Sequence, residues 1–467
     1  MGIFILPCSR ALATPLSLDD AIAMALKNHL DIKIADLESE RAQAFIHDAK
    51  SLFDVTLSST ANWTHDQDKP ASTLSGRKTQ TGVFNIGLSK KIPLGTKLGV
   101  SIENTYKDSD SSVASKPTYW DPKFKISATQ ELLKNSFGTS DRKERRAADL
   151  FQEASLTHGR DLKENVISEI SKLYWTFVAH NDIQEIQKQA LDRAQKLYEA
   201  NLKKIKLGTI EKTDLLASQA SVLARKADLL SAQDAFHSIH EDLKRSLKVP
   251  LETSFEPKNE LVFTPKKMDA ELVITRALTQ NKTYHTTLKE LRANELKLKI
   301  AKNNFLPEFN LEGSIAFNGL AKEFESAWSD VSHMDFPTYY YGVTLSYPLG
   351  EHASQRTYLR QWVETEKAHL TLEKLKDDLR YTIRQEIRTL DSQAQKVGHL
   401  FEVQKLLYEK MKEEEKKFNQ GRSSINFVIQ FQEDHLQSSK ELIFEKLSYQ
   451  KALIDLKRRQ GALIETL

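Results

Sequence analysis

The sequence predicts a mainly α chain with a membrane β-barrel part: duplicated long helical hairpins that close into an α-barrel, continued by a transmembrane β-barrel. Three observations predict it. Two very long helical patterns are each broken once, near Gly208 and near Gly421, and each returns as a second helix. Short segments that alternate apolar and polar residues precede each long pattern, with period 2 instead of 3.6. The whole order occurs twice, and an internal repeat outranks local propensity in deciding a fold.

The first stretch, 1–13, reads as the remnant of a signal peptide, with an apolar Gly2-Ile3-Phe4-Ile5-Leu6 and a small-x-small site at Ala11-Leu12-Ala13. Residues 14–53 form the first-repeat short helices. Ser17 is placed to cap the first, and Asp19 and Asp20 favour its positive end. Residues 54–133 are the first-repeat strands. Val55, Leu57, Ala61 and Trp63 alternate with Thr56, Ser58, Asn62 and Thr64, and similar runs follow at Phe84–Leu88, Leu98–Tyr106 and Phe124–Ala128. The longer runs, Val55–Thr64 and Leu98–Tyr106, reach roughly nine to eleven residues, the length a tilted strand needs to cross a bilayer. Small and amide residues on the polar side suit a barrel with lipid outside and water inside. Alternation alone also fits a soluble β-sandwich. Tyr106, Tyr119 and Trp120 stand near strand ends, where aromatic girdles lie.

Residues 140–249 form the first long helical hairpin, with its tip near 208. Asp141 and Glu144 have the spacing of a capping box. The basic run Arg142, Lys143, Arg145, Arg146 opposes the helix dipole. It suits either anionic headgroups or a solvated charged turn. The approach to Gly208 is about 67 residues, roughly 100 Å at 1.5 Å per residue. Leu162, Val166, Ile170, Leu173 and Phe177 mark a coiled-coil-like seam along it. Residues 250–267, with Pro250, Pro257 and Pro265, are a linker.

The pattern then restarts. Residues 268–306 repeat the short helices, 307–349 the strands, and 352–465 the long hairpin with its tip near 421. Ala277-Leu278 falls on Ala25-Leu26 and Phe305 on Phe53, while Tyr347-Pro348-Leu349-Gly350 mirrors Ile92-Pro93-Leu94-Gly95. The first half carries an additional hairpin, about residues 96–131, which the second lacks. A helix of this length cannot bury its seam alone, and open strand edges cannot sit in lipid. Copies of the chain must therefore close both parts.

Composition excludes other classes. The chain has 467 residues, with 67 basic and 64 acidic side chains interleaved, so no clustered basic footprint for nucleic acid exists. The single cysteine, Cys8, rules out an internal disulfide or a multi-cysteine metal site. No apolar run is long enough for a transmembrane helix. His29, His47, His158 and His180 are scattered, with no H-E-x-x-H spacing or phosphate loop, so neither catalysis, cofactor nor metal is expected.

Over residues 16–465 the chain resembles the TolC family of outer-membrane efflux proteins. The resemblance rests on the duplicated element order and on three strings: Ser17-Leu18-Asp19-Asp20-Ala21-Ile22, Asp214-Leu215-Leu216-Ala217-Ser218-Gln219 after Gly208, and Phe418-Asn419-Gln420-Gly421. It implies a homotrimer in the outer membrane whose helical part lies in the periplasm. Its implied partners are outer-membrane lipid, a periplasmic adaptor (membrane fusion) protein and an inner-membrane transporter. The implied role is a passive exit duct for tripartite efflux or type I secretion. The alternative is a soluble coiled-coil scaffold. Gly208, Thr209, Ile210, Gly421, Arg422 and Ser423 are the expected tip and adaptor contacts. The family norm is four strands per chain; six alternating segments here favour six. The aspartate gate of some members is not expected, because the second tip contains no aspartate. Asp214 is the one acid placed for a gate, and capping of its helix is the competing role.

Overall fold

The computed structural model describes residues 14–68, 78–110, 114–206 and 210–463; the expected signal remnant, 1–13, lies outside them. In chain order the elements are β1 (Thr14–Leu16), α1 (Leu18–Asn28), α2 (Leu30–Arg41), α3 (Gln43–Ser51), β2 (Val55–Asp66), β3 (Thr79–Lys91), β4 (Thr96–Ser109) and β5 (Thr118–Glu131). Then come α4 (Thr139–Lys206), α5 (Lys212–Leu247), β6 (Phe255–Pro257), α6 (Ala270–Gln280), α7 (Lys282–Asn303), β7 (Glu308–Asn318), α8 (Phe324–Ser332), β8 (Pro337–Ser346), α9 (His352–Asn419) and α10 (Ile425–Arg459).

The repeat is numerical. Helix α6 begins and ends 252 residues after α1 (18 to 270, 28 to 280). Helices α4 and α9 are both 68 residues long, and both ends are shifted by 213 (139 to 352, 206 to 419). The shift drops because the first repeat spends residues on β4 and β5 that the second does not.

The chain divides into two compact units. Among the described residues the first comprises 14–39, 156–206, 210–286 and 373–463, and the second 40–68, 78–110, 114–155 and 287–372; α4 and α9 each supply residues to both. The helical unit has two matching cores besides a smaller cluster near the tips. One gathers Leu16 of β1 and Ile22 and Ile32 of the first short helices with Ile170, Tyr174 and Phe177 of α4 and Leu243 and Leu247 of α5. The other repeats it with Ile274 and Ala277 of α6, Ile383, Ile387 and Leu390 of α9, and Tyr449, Leu453 and Leu456 of α10. Helix α1 starts on a true capping box: the Ser17 hydroxyl accepts from the Asp20 amide at 3.1 Å, and the Asp20 carboxylate accepts from the Ser17 amide at 3.3 Å. The Ser17 hydroxyl also donates to the Asp20 carboxylate at 2.5 Å, and this bond first, with that from the Ser17 amide, holds the Asp20 carboxyl below its usual range.

In the other unit, six strands form one antiparallel meander in the order β2-β3-β4-β5-β7-β8. The sheet is open, with β2 and β8 at its edges. Helix α8, between β7 and β8, falls where the sequence shows only a loop. It sits over β5 and β7, its Phe324 ring 5.1 Å from that of Trp120.

The start of α4 corrects one expectation. The helix opens at Thr139, two residues before the predicted capping box. Its orphan amides are met by Asn135, whose side-chain oxygen accepts from the Ser140 amide at 2.8 Å and the Asp141 amide at 3.1 Å. Asp141 instead takes the Lys91 ammonium at 2.9 Å. The basic run has a local task too: the Arg142 guanidinium donates to the carbonyls of Pro93 at 2.9 Å and Phe137 at 2.6 Å, bracing the start of α4 against the β3–β4 turn.

Candidate functional site: the sheet faces and the helical tips

Strand alternation produces two chemically distinct faces, and the register aligns them across all six strands. One row runs Leu57, Leu88, Val100, Ile126, Ile315, Tyr339. The row beside it on the other face runs Ser58, Gly87, Ser101, Lys125, Ala316, Thr338. The apolar face is exposed over much of its area: Leu57, Ile86 and Tyr341 are 67%, 51% and 82% accessible. An exposed apolar face of this extent needs a non-aqueous neighbour.

One end of the apolar face is lined by rings. Trp63 and Tyr106 stack at 5.6 Å, and Tyr106 meets Trp120 at 4.8 Å. Gly82 lies between the strands that carry Trp63 and Tyr106, and a Cβ there would stand 2.6 Å from the Trp63 ring, so the glycine makes room for the indole. Tyr119 does not join this belt. It pairs with Lys107 and so takes the polar face, because neighbouring residues on a strand point to opposite sides.

Among the described residues no helix is long and apolar enough to cross a membrane. None of them groups three or more His, Cys, Asp or Glu side chains that could hold a metal ion.

The second tip has defined geometry. Helix α9 ends at Asn419 and α10 begins at Ile425. Gly421 adopts φ +73°, the left-handed conformation that ends helices, and its amide donates to the Phe418 carbonyl at 3.0 Å. The Arg422 amide donates to the Lys417 carbonyl at 2.9 Å, while its side chain is exposed. The Ser423 hydroxyl donates to Glu414, and this bond draws the Glu414 carboxyl below its usual range.

The first tip is described only in part. Gly208 and Thr209 lie outside the described residues; Ile210 and Asp214 are half-buried. Asp214 stands in the first turn of α5, and its amide donates to the Glu211 carbonyl at 3.2 Å. Glu211 is the residue at the cap position, and it makes no side-chain cap bond.

The two hairpins meet just behind the tips. Phe418, Ile425 and Val428 pack against Leu197 of α4 and Ala217 of α5, and the Lys204 ammonium lies 4.1 Å from the centre of the Phe418 ring. Further along, Arg225 of α5 is bonded to Glu433 of α10 and, at 3.1 Å, to Asp228. Burial pushes the Glu433 carboxyl up, but its bonds from Arg225 and Gln437 outweigh burial and leave it below the ordinary value. Sequence inspection does not single out Arg225: charges are 28% of the chain, and nothing local marks the one that reaches across to the other hairpin.

No protein-family model matches this chain, and no curated protein matches it in sequence. Solved structures do. The CmeC outer membrane channel of Campylobacter jejuni superposes with a TM-score of 0.67 at 16% identity, over 95% of this chain and 85% of that one. The outer membrane protein VceC of Vibrio cholerae gives 0.71 at 13% identity, over 95% and 96% of the two chains. The MtrE outer membrane channel of Neisseria gonorrhoeae, in its open state, gives 0.69 at 14% identity, over 95% and 88%. Over nearly its whole length, the chain therefore has the fold of these outer-membrane channels, duplicated helical hairpins combined with a two-faced β-sheet.

Proposed function

We propose that the chain is the outer-membrane channel of a tripartite efflux or type I secretion system, a passive exit duct that carries out no chemistry of its own. The observation that carries this reading is the unbroken apolar row across six strands, Leu57 to Tyr339, on a sheet whose two edges are open. In lipid such a sheet has to close, and it closes only with further copies of the chain. Three copies, in keeping with the TolC resemblance, place the sheet in the outer membrane and the paired long helices in the periplasm. Energy comes from an inner-membrane transporter, reached through a periplasmic adaptor.

The adaptor contact is assigned to Gly208, Thr209 and Ile210 at one tip and to Gly421, Arg422 and Ser423 at the other. Asp214 is proposed as a first-turn residue of α5 before it is a gate, since its position near the helix N-terminus is electrostatically favourable by itself. Gly421→Pro removes both the left-handed φ and the amide that donates to Phe418. That change, or Ile210→Glu, is expected to abolish export while a trimer still forms in detergent. Export that survives both changes would remove the tips from adaptor docking. A soluble coiled-coil scaffold would leave the apolar row in water, and would be released from membranes by high salt where a barrel requires detergent.

A further inference from the structure

The β4–β5 hairpin is the feature that the repeat does not require. The second repeat supplies two strands, β7 and β8, and the first supplies four. The turn Pro93-Leu94-Gly95 that follows β3 matches Pro348-Leu349-Gly350, which follows β8 and leads straight to α9. The additional strands are therefore β4 and β5.

Their place in the sheet is unambiguous. β3 pairs with β4 from Thr79–Ser109 to Lys91–Lys97, and β5 pairs with β7 from Lys123–Asn318 to Glu131–Asn310. The hairpin thus separates β3 from β7 within the plane; it does not lie against either face. It also carries the same two-sided code, because Val100 and Ile126 continue the apolar row while Ser101 and Lys125 continue the polar one. Charge distinguishes it from its neighbours. The polar face of β2, β3 and β8 between the end rows presents Thr, Ser, Asn, Gly, Val and Tyr, and that of β7 presents Ser314, Ala316 and Asn318 beside the hairpin's middle, with Glu308 and Glu312 only towards its start. That of the hairpin presents Glu103, Lys107, Asp121, Lys123 and Lys125. Lys123 is opposite Glu103 and 3.2 Å from Asp121, whereas Lys125 stands opposite Ser101 and Ala316.

We infer that β4 and β5 are two additional staves of the barrel wall, which widen the bore and ring it at mid-depth with Lys125. This rests on the exit-duct reading with three copies. Three sheets of six strands give eighteen, where two strands per repeat would give twelve, and barrel diameter grows about in proportion, to ~1.5-fold. A ring of like charges on a pore wall sets which solutes pass most readily, so Lys125 favours anionic cargo at this level.

The test uses the full-length chain with Cys8→Ser. Single cysteines are placed at neighbouring positions on β3 (Asn85→Cys, Ile86→Cys) and on β5 (Lys125→Cys, Ile126→Cys). Intact cells are treated with a membrane-impermeant maleimide. Labelling at 85 and 125 but not at 86 and 126 is the expected result. Alternation on β3 with equal labelling at 125 and 126 puts the hairpin outside the wall and overturns the inference, leaving the duct reading intact. Loss of alternation at both pairs overturns the duct reading itself. A strand count by electron microscopy of the detergent-extracted assembly reads the same point without substitutions: eighteen supports the additional staves and twelve refutes them. The charge ring is read at Ala316→Cys, where an anionic thiol reagent is expected to react a few-fold faster than a cationic one. Adding Lys125→Gln should erase that preference; a preference that persists shows the ring is not set by Lys125.

Discussion

The two strand-to-helix junctions of the repeat are built very differently. In the second repeat, β8 runs through Pro348-Leu349-Gly350 directly into α9, and the turn is open: Leu349 is 96% accessible. In the first, the matching turn at Pro93-Leu94-Gly95 leads away into β4, yet it is captured again where α4 begins. Gly95 and Gly138 both have positive φ, +75° and +72°, and their backbones touch: a Cβ on Gly138 would stand 2.2 Å from the Pro93 carbonyl oxygen. Arg142, Asn135 and the Lys91–Asp141 ion pair hold the same corner. The difference teaches that an insertion into the sheet did not displace the turn from its helix. The old neighbours stayed together, and the new return path from β5 needed its own close-packed corner.

That comparison can be broken most sharply at the glycines. Gly138→Ala puts a side chain into both a carbonyl and a left-handed conformation, and should cost on the order of 3 kcal/mol or more. Gly350→Ala meets nothing nearer than the His352 ring at 3.4 Å and should change little. Urea midpoints of the detergent-extracted protein compare the two. Equal effects would mean the first corner is no tighter than the second.

The second contrast is between matched core positions of the return helices. A shift of 213 places Leu453 of α10 where α5 has His240 (240 to 453). His240 is packed among Phe177, Phe236 and Phe255, and its ring accepts from the Phe255 amide at 3.2 Å. Burial, with Lys244 and His237 nearby, lowers its pKa to about 4. Between about 6.5, the ordinary value, and about 4, the unfolded chain binds the proton and the folded chain does not. Stability is therefore intact above that window and falls as pH drops through it, by about 1–3 kcal/mol. His240→Leu, which copies the second repeat, should flatten this part of a stability-versus-pH curve. An unchanged curve would place the acid sensitivity elsewhere.

Smaller effects are expected where the linker is stitched to the helices. The Tyr174 hydroxyl, on a side chain with 0% exposure, bonds the Leu16 carbonyl at 2.9 Å and the Asn259 side chain at 2.7 Å. The Tyr449 hydroxyl makes longer contacts, to the Thr264 carbonyl at 3.4 Å and from the Lys266 amide at 3.1 Å. Tyr174→Phe should cost about 1–2 kcal/mol and Tyr449→Phe less than about 1, read again as urea midpoints. A comparably modest effect is expected for Gly421→Ala. With no atom within 4 Å of the added methyl, only the left-handed φ opposes it, about 1 kcal/mol.

Local periodicity was enough to reveal most of this chain. The 3.6 and 2 patterns separate helix from strand at Ile22 and at Val55, because burial on one side imposes its own spacing on the residues. The duplication could be read because the same packing problem, a long helix that needs a partner, was solved twice with matching residues. The corner at Gly138 and the ion pair of Arg225 with Glu433 could not be read that way. Each depends on two segments that meet only in space, and in a chain this rich in charge nothing local tells one lysine or arginine from the next. Alternation likewise predicts that Lys125 and Ile126 point to opposite faces, but says nothing of which strands lie beside them. Pairing register is a tertiary property, and it alone decided that β4 and β5 stand in the sheet between β3 and β7.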